Sequence, residues 1–317
     1  MDNVIVIVGP TAVGKTKLSI DLAQWFEVEI ISGDSMQIYK GMDIGTGKIT
    51  KDEREKIPHY MIDIKEPSET FSVAQFQTYV QKYIKEINAR NKIPILVGGS
   101  GLYIQAVLFD YHFSTRKRNE KVTRKLEQRL KEEGKDVLYQ ELQQIDKEQA
   151  EKIHPNNYRR VIRALEIYET TGLTMTEIHQ QQKRTARYNH LLIGLEMERN
   201  RLYNQINKRV DQMIKDGLIE EVERLYKQGL EKCQAMQAIG YKEIIPYIKG
   251  EMTLEQATDM LKRNSRRYAK RQYTWFKNKM DVNWYAMDQY TEDTFKSIVN
   301  KIENKFSSKY KQGHKRS

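Results

Sequence analysis

Cys233 is the single cysteine among 317 residues. No internal disulfide can form, and no cysteine-ligated zinc ribbon or finger is possible. Nowhere do about 18 apolar residues run together, which excludes a helical membrane span. Met1-Asp2-Asn3, a short apolar run and Gly9-Pro10 lack the basic region and the longer apolar stretch of a secretory leader. The histidines, His59, His112, His154, His179, His190 and His314, show no metal-ligand spacing. There is no internal repeat and no low-complexity linker. These absences exclude a secreted disulfide scaffold, a membrane protein and a cysteine-ligated metalloprotein. What remains is a soluble, basic protein of a reducing compartment.

The net charge of +11 is unevenly spread, with 15 Lys and Arg against 5 Asp and Glu in residues 262–317. A near-neutral front and a basic back suggest chemistry in one part and the holding of a polyanion in the other, although solvated Lys-rich helices would look the same. Aromatics within the basic stretch, Tyr268, Tyr273, Trp275 and Phe276, suit base stacking and a helix core equally well.

Strand-like runs at Val4–Val8, Val28–Ser32, Tyr60–Ile64 and Ile93–Val97 alternate with helical spacing over Lys15–Phe26 and Phe71–Arg90. This is the pattern of a parallel sheet covered by helices. Charged helical segments follow, including Val122–Lys131 and Asn157–Thr171. Strand-like runs return at His190–Leu195 and Val282–Ala286, separated by helices over Arg199–Lys215, Ile219–Lys227 and Thr253–Lys277. We expect an α/β core over 1–115 and 189–306, its carboxyl-terminal part helical and basic. A helical insertion over 116–188 and a flexible basic tail over 307–317 complete the chain.

Gly9-Pro10-Thr11-Ala12-Val13-Gly14-Lys15-Thr16 fits G-x-x-x-x-G-K-[ST] between a strand and a helix. Backbone N–H groups converge there on phosphate oxygens, and the helix N-terminus adds partial positive charge. Lys15 reaches the outer phosphate and the Thr16 hydroxyl can ligate Mg²⁺. A pyrophosphate-bearing ligand follows, but ATP does not. ATPases of this type carry an acid after a later strand, whereas Ile93–Val97 runs into Gly98-Gly99-Ser100-Gly101. A carboxylate stands elsewhere, at Asp34 after Val28–Ser32. If that strand lies next to the first, Asp34 faces the same crevice. It could serve as a base, cap a turn, or sit in the outer shell of Mg²⁺. On residue logic alone, a P-loop small-molecule kinase and a non-catalytic nucleotide-dependent RNA-binding protein are the rival readings.

Several long motifs then recur in one order: Gly9–Thr16, Gly33–Tyr39, Met42–Thr46, Pro58–Asp63, Val97–Tyr103, His154–Asn156 with Arg159–Arg163, Ala238–Tyr241 and Lys270–Gln272. Together they resemble the bacterial tRNA dimethylallyltransferases, also called isopentenylpyrophosphate transferases. The resemblance runs from Val4 to about Trp284. It implies a P-loop NTPase-like α/β fold with an inserted helical tRNA-binding domain, in a monomeric cytoplasmic enzyme. Dimethylallyl diphosphate, not ATP, would occupy the cradle with Mg²⁺. Its five-carbon group would pass to N6 of the adenosine immediately 3′ of the anticodon. Asp34 would be the base for that amine, and Lys15, Thr16 and Arg209 would hold the departing diphosphate. The adenine, flipped out of the anticodon stem-loop, would sit on Asp34, Ser35, Met36 and Gln37. Further tRNA contacts would come from Ser100, Thr123, Arg159, Arg160, Val161, Ile162, Arg163, Gln237, Gly240, Tyr241 and Lys242. Position 100 is Ser where the family usually has Thr. Thr123 stands where Arg is common, with Arg124 one place later.

Overall fold

The computed structural model describes residues 1–109, 111, 119–181 and 185–306. The tail 307–317, the 115/116 boundary, His112 and His314 lie outside the described residues.

A continuous β-branched run forms β1 (Asn3–Val8), buried at every residue, as a strand covered on both faces must be. It is followed by β2 (Val28–Ser32), β3 (His59–Tyr60), β4 (Ile93–Gly98), β5 (Asn189–Glu196) and β6 (Asn283–Ala286). All pair in parallel in the order β3-β2-β4-β1-β5-β6. The edge strands β3 and β6 are only half-buried.

Two expectations fail here. The third strand does not reach Ile64, because Met61 and Asp63 take φ of 62° and 55°, which an extended run cannot contain. Nor is β2 the neighbour of β1. β4 lies between them, with Leu96 in register with both Ile31 and Val6.

Helices α1 (Lys15–Ala23), α2 (Lys51–Glu55), α3 (Val73–Ala89) and α4 (Gly101–Leu108) belong to the first part of the chain. The segment 119–181 forms α5 (Glu120–Glu132), α6 (Lys135–Ile145), α7 (Lys147–Glu151), α8 (Tyr158–Thr171) and α9 (Met175–Gln181). The chain returns through α10 (Arg199–Lys215), α11 (Leu218–Lys227), α12 (Ile245–Ile248), α13 (Leu254–Lys279) and α14 (Glu292–Phe306). Two compact units result, one of Met1–Leu108 with Ala186–Ser317 and the other of Phe109–Thr185.

In the first unit Ile5 and Ile7 pack with Leu18 and Leu22 of α1, Ile206 of α10, Ala269 of α13 and Ile298 of α14. Alternation along the strand turns Val4, Val6 and Val8 to the opposite face, where they are equally buried. The 26-residue α13 starts at a capping box, Thr253 with Gln256, which satisfies two otherwise orphaned backbone donors. In the second unit Leu126, Leu138, Leu142, Ile153, Val161, Ile162 and Leu165 make a separate core. Asp146 there accepts from the Thr176 amide at 2.9 Å and its hydroxyl at 2.5 Å, tying α9 to the α6–α7 junction.

Candidate active site

Between β1 and α1 the backbone turns through left-handed conformations at Ala12 (φ 64°) and Gly14 (φ 104°). Gly14 caps α1 with no side-chain hydrogen bond, so the first amides of that helix are left to an anion. Lys15 Nζ donates to the carbonyls of Gly9 at 2.9 Å and Pro10 at 2.7 Å. Burial, helped by the Arg209 guanidinium and opposed by Asp34, lowers its pKa to about 7.

Asp34 reaches the same place across β4, and the glycines explain how. Gly33 N donates to Val97 O at 2.7 Å. A Cβ on Gly98 would stand 2.5 Å from the carbonyl carbon of Gly33, so only glycine lets the two strand ends lie this close. The glycine run after β4, where an ATPase carries its acid, clears the path from β2 to the phosphate loop. Asp34 Oδ1 accepts from the Met36 amide at 2.8 Å. Burial raises its pKa, against the pull of the Met36 amide and of Lys15.

Two cavities meet at this carboxylate. One, of about 490 Å³, is lined by Thr11–Thr16, Lys208, Arg209 and the apolar side chains of Ile30, Ile49, Ile62 and Val97. Asp34 is the one acid among its lining residues. The other, of about 330 Å³, is lined by Ser35, Met36, Gln237, Gly240, Lys242 and Arg271. Thr11, Ala12, Asp34, Thr46, Arg209 and Tyr268 line both. A cationic, amide-rich chamber with an apolar flank thus adjoins a second chamber, and a buried carboxylate stands at the boundary. Such an arrangement can hold a diphosphate with a hydrocarbon tail on one side and a proton-bearing nucleophile on the other.

Residues 37–279 match the family described as IPP transferase. The chain belongs to that family. It is 58% identical over 310 residues to the tRNA dimethylallyltransferase of Anoxybacillus flavithermus, covering 98% of this chain and 97% of the relative. It is 59% identical over 287 residues to that of Oceanobacillus iheyensis, covering 90% and 92%. Among solved structures, the full-length tRNA isopentenylpyrophosphate transferase of Bacillus halodurans superposes with a TM-score of 0.74 at 50% identity, covering 98% of each chain. A eukaryotic dimethylallyltransferase acting on tRNA gives 0.83 at 35% identity, covering 98% of this chain and 81% of that one. The parallel sheet and helices are the IPP transferase fold.

Seen against the motifs of this family, the structure brings Thr11–Thr16, Asp34–Gln37, Arg209, Gln237, Gly240 and Lys242 to the two cavities. Gly9 and Pro10 lie behind the loop, their carbonyls taken by Lys15. Ser100 lies off both linings, in hydrogen-bond contact with Tyr268. Four residues expected to touch RNA have buried side chains. Val161 and Ile162 lie in the second unit's core and Thr123 is buried on α5. Tyr241 is 0% exposed and gives its hydroxyl to Glu221. Arg159 and Arg160 are exposed, whereas Arg163 is paired with the buried Glu166.

Two residues of α13 that the sequence analysis named, Tyr268 among the aromatics and Gln272 at the end of a motif, were given no role at this site. Gln272 accepts from the Thr11 amide at 2.9 Å and donates to Gly99 O at 3.1 Å, clamping the phosphate loop to the end of β4. Tyr268 lines both cavities, and burial pushes its pKa up to about 12. A signal for Gln272 was present, since it is the largest polar member of the buried stripe Ser265, Ala269, Gln272, Phe276, and a glutamine on a core stripe needs a partner.

Proposed function

We propose that this chain transfers the dimethylallyl group of dimethylallyl diphosphate to N6 of the adenosine immediately 3′ of the anticodon in tRNA, releasing diphosphate. The placement of Asp34 between the phosphate-loop chamber and its neighbour carries the reading. The donor's diphosphate lies on the amides of Thr11–Thr16 with Lys15 and Arg209. The tail lies against the apolar flank, and the flipped adenine enters from the chamber of Ser35, Met36, Gln37 and Gln237. As the C1–O bond breaks and the N6–C1 bond forms, Asp34 takes the N6 proton and the electron pair leaves with diphosphate. Adenine N6 is a poor nucleophile because its lone pair is delocalised, so a placed base matters. Lys15, Arg209 and the loop amides stabilise the charge that gathers on the leaving group.

Among the described residues no group of three or more His, Cys, Asp or Glu could hold a metal. With one carboxylate lining the donor chamber, the donor set suits Mg²⁺ bound chiefly through substrate phosphates. Thr16 would hold it beside the donor oxygens, where it would neutralise leaving-group charge. Exposed Arg159 and Arg160 supply phosphate contacts for the anticodon arm, with Lys242 and Arg271 at the acceptor chamber. The chain works as a monomer in the cytoplasm, and no helix among the described residues is long and apolar enough to cross a membrane.

The test incubates the protein with radiolabelled dimethylallyl diphosphate, Mg²⁺ and unmodified tRNA, with radiolabelled ATP as the control. Label is expected on adenosine beside the anticodon from the prenyl donor alone. Phosphoryl transfer from ATP to a small molecule, with no prenylation, would overturn the reading.

A further inference from the structure

Glu221 on α11 is a buried carboxylate with no place in the chemistry above. Its Oε2 accepts from the amides of Asp43 and Ile44, each at 2.9 Å, and its Oε1 from the amide of Gly45 at 3.0 Å and the Tyr241 hydroxyl at 2.6 Å. Four donors converge on one side chain that is 6% exposed. Four donors fill the acceptor sites of a carboxylate, and because three of them are backbone amides the side chain fixes a loop by its backbone.

The loop it grips has two edges. Its amides at 43–45 face Glu221. Its carbonyls at Thr46 and Gly47 each accept from Gln37 Nε2 at 3.4 Å, and Gly47 O also accepts from Arg209 Nη2 at 3.4 Å. The loop therefore bears on two side chains that the proposed reaction uses, Gln37 beside the adenine, whose Oε1 also accepts from Ser32 Oγ at 2.8 Å, and Arg209 on the diphosphate. On the far side, Tyr241 belongs to the segment Gln237–Lys242 that lines the acceptor chamber. Its ring lies so close to Gly45 that a Cβ there would stand 2.5 Å away. The neighbouring Gly240 amide is held by the buried Glu243 at 2.9 Å.

We propose that Glu221 and Tyr241 are positioning residues through which the acceptor-side segment Gln237–Lys242 sets the donor-side loop 43–47, so that bound tRNA tightens the grip on diphosphate. This rests on the function proposed above. An RNA that steadies Gln237–Lys242 steadies Tyr241, hence Glu221, hence the carbonyls that aim Arg209. The coupling is thermodynamic and must be reciprocal.

Inorganic diphosphate with Mg²⁺ is titrated by calorimetry into the full chain, alone and with saturating unmodified tRNA. The wild type is expected to bind diphosphate at least about fivefold tighter in the presence of tRNA. Tyr241→Phe removes one hydroxyl and leaves Glu221 its three amides. This variant is expected to bind each ligand alone within about twofold of wild type and to lose the enhancement. Its kcat for prenyl transfer should drop more than either KM changes. Glu221→Gln sets an amide nitrogen against amide donors and should show the same loss more strongly, with thermal unfolding as the check on its fold. A diphosphate affinity indifferent to tRNA in the wild type, or an enhancement that survives in folded Tyr241→Phe, overturns the proposal while leaving prenyl transfer by the wild type intact. Absence of that transfer would instead sink the function on which the proposal rests.

Discussion

Lys15 carries a charge that the free site holds weakly. Burial and Arg209 bring its pKa to about 7, so the ammonium is present below that pH and lost above it. A bound diphosphate favours the charged form and raises the pKa again. The consequence is asymmetric. The kcat/KM for the donor, which reports the free enzyme, should fall as pH rises through about 7, while kcat, which reports the complex, should not. On the acid side both should fall as Asp34 takes a proton, at a pH above the usual carboxylate range because burial raises its pKa. Steady-state profiles against pH check both limbs. A donor kcat/KM that stays flat through neutrality would show that Lys15 is charged throughout. Lys15, Thr16 and Asp34 were legible in the sequence because motif and strand end are local signals. That Tyr268 and Gln272 join them was not, although both stood out in the sequence, since they reach the site from α13, more than 200 positions along the chain from Asp34.

The ends of β2 and β4 decide whether Asp34 can act at all. With β4 lying between β2 and β1, any side chain at position 98 would run into the backbone of Gly33, the residue just before Asp34. Gly98→Ala places a methyl 2.5 Å from Gly33 backbone, where nothing flexible can give way. The expected cost is about 1–3 kcal/mol, as for other overpacked sites, visible as a lower unfolding midpoint, together with a loss of prenyl transfer that exceeds the loss of donor binding. Unchanged stability and rate in Gly98→Ala would mean that this close approach is dispensable. Most elements were readable from periodicity and fall within a few residues of their expected spans. Strand order was not, because adjacency in a sheet depends on which long-range pairs form, and nothing local in Val28–Ser32 records that β4 intervenes. The shortened β3 depends on positive φ at Met61 and Asp63, which no residue pattern there announces.

Charge is distributed over the chain as a nucleic-acid partner would require. The exposed Arg263, Arg267, Lys270, Arg271 and Lys277 recur along one side of α13, and Arg271 reaches the acceptor chamber. Binding through such groups releases counterions, so tRNA affinity should fall linearly with salt on logarithmic axes, with a slope of about −0.7 to −0.9 per phosphate neutralised. Charge-removing substitution of Arg159 or Arg160 should each flatten that slope by about one without altering diphosphate affinity, as filter binding over a salt series can show. A slope indifferent to those substitutions would remove them from the interface. The inward turn of Val161 and Ile162 was readable in principle, since 161, 162, 164 and 165 form one apolar stripe on α8.

Whether the two chambers share one base is decided by single-turnover transfer with Asp34→Asn, preloaded with tRNA and chased with dimethylallyl diphosphate. The amide keeps the shape of the side chain and cannot take the N6 proton. Transfer slowed by about 10²–10⁴-fold, the usual worth of a placed base, with the affinities for tRNA and diphosphate preserved, is the expected result. Transfer at close to the wild-type rate would contradict proton removal by Asp34 and, with it, the reading of the two chambers as donor and acceptor sites.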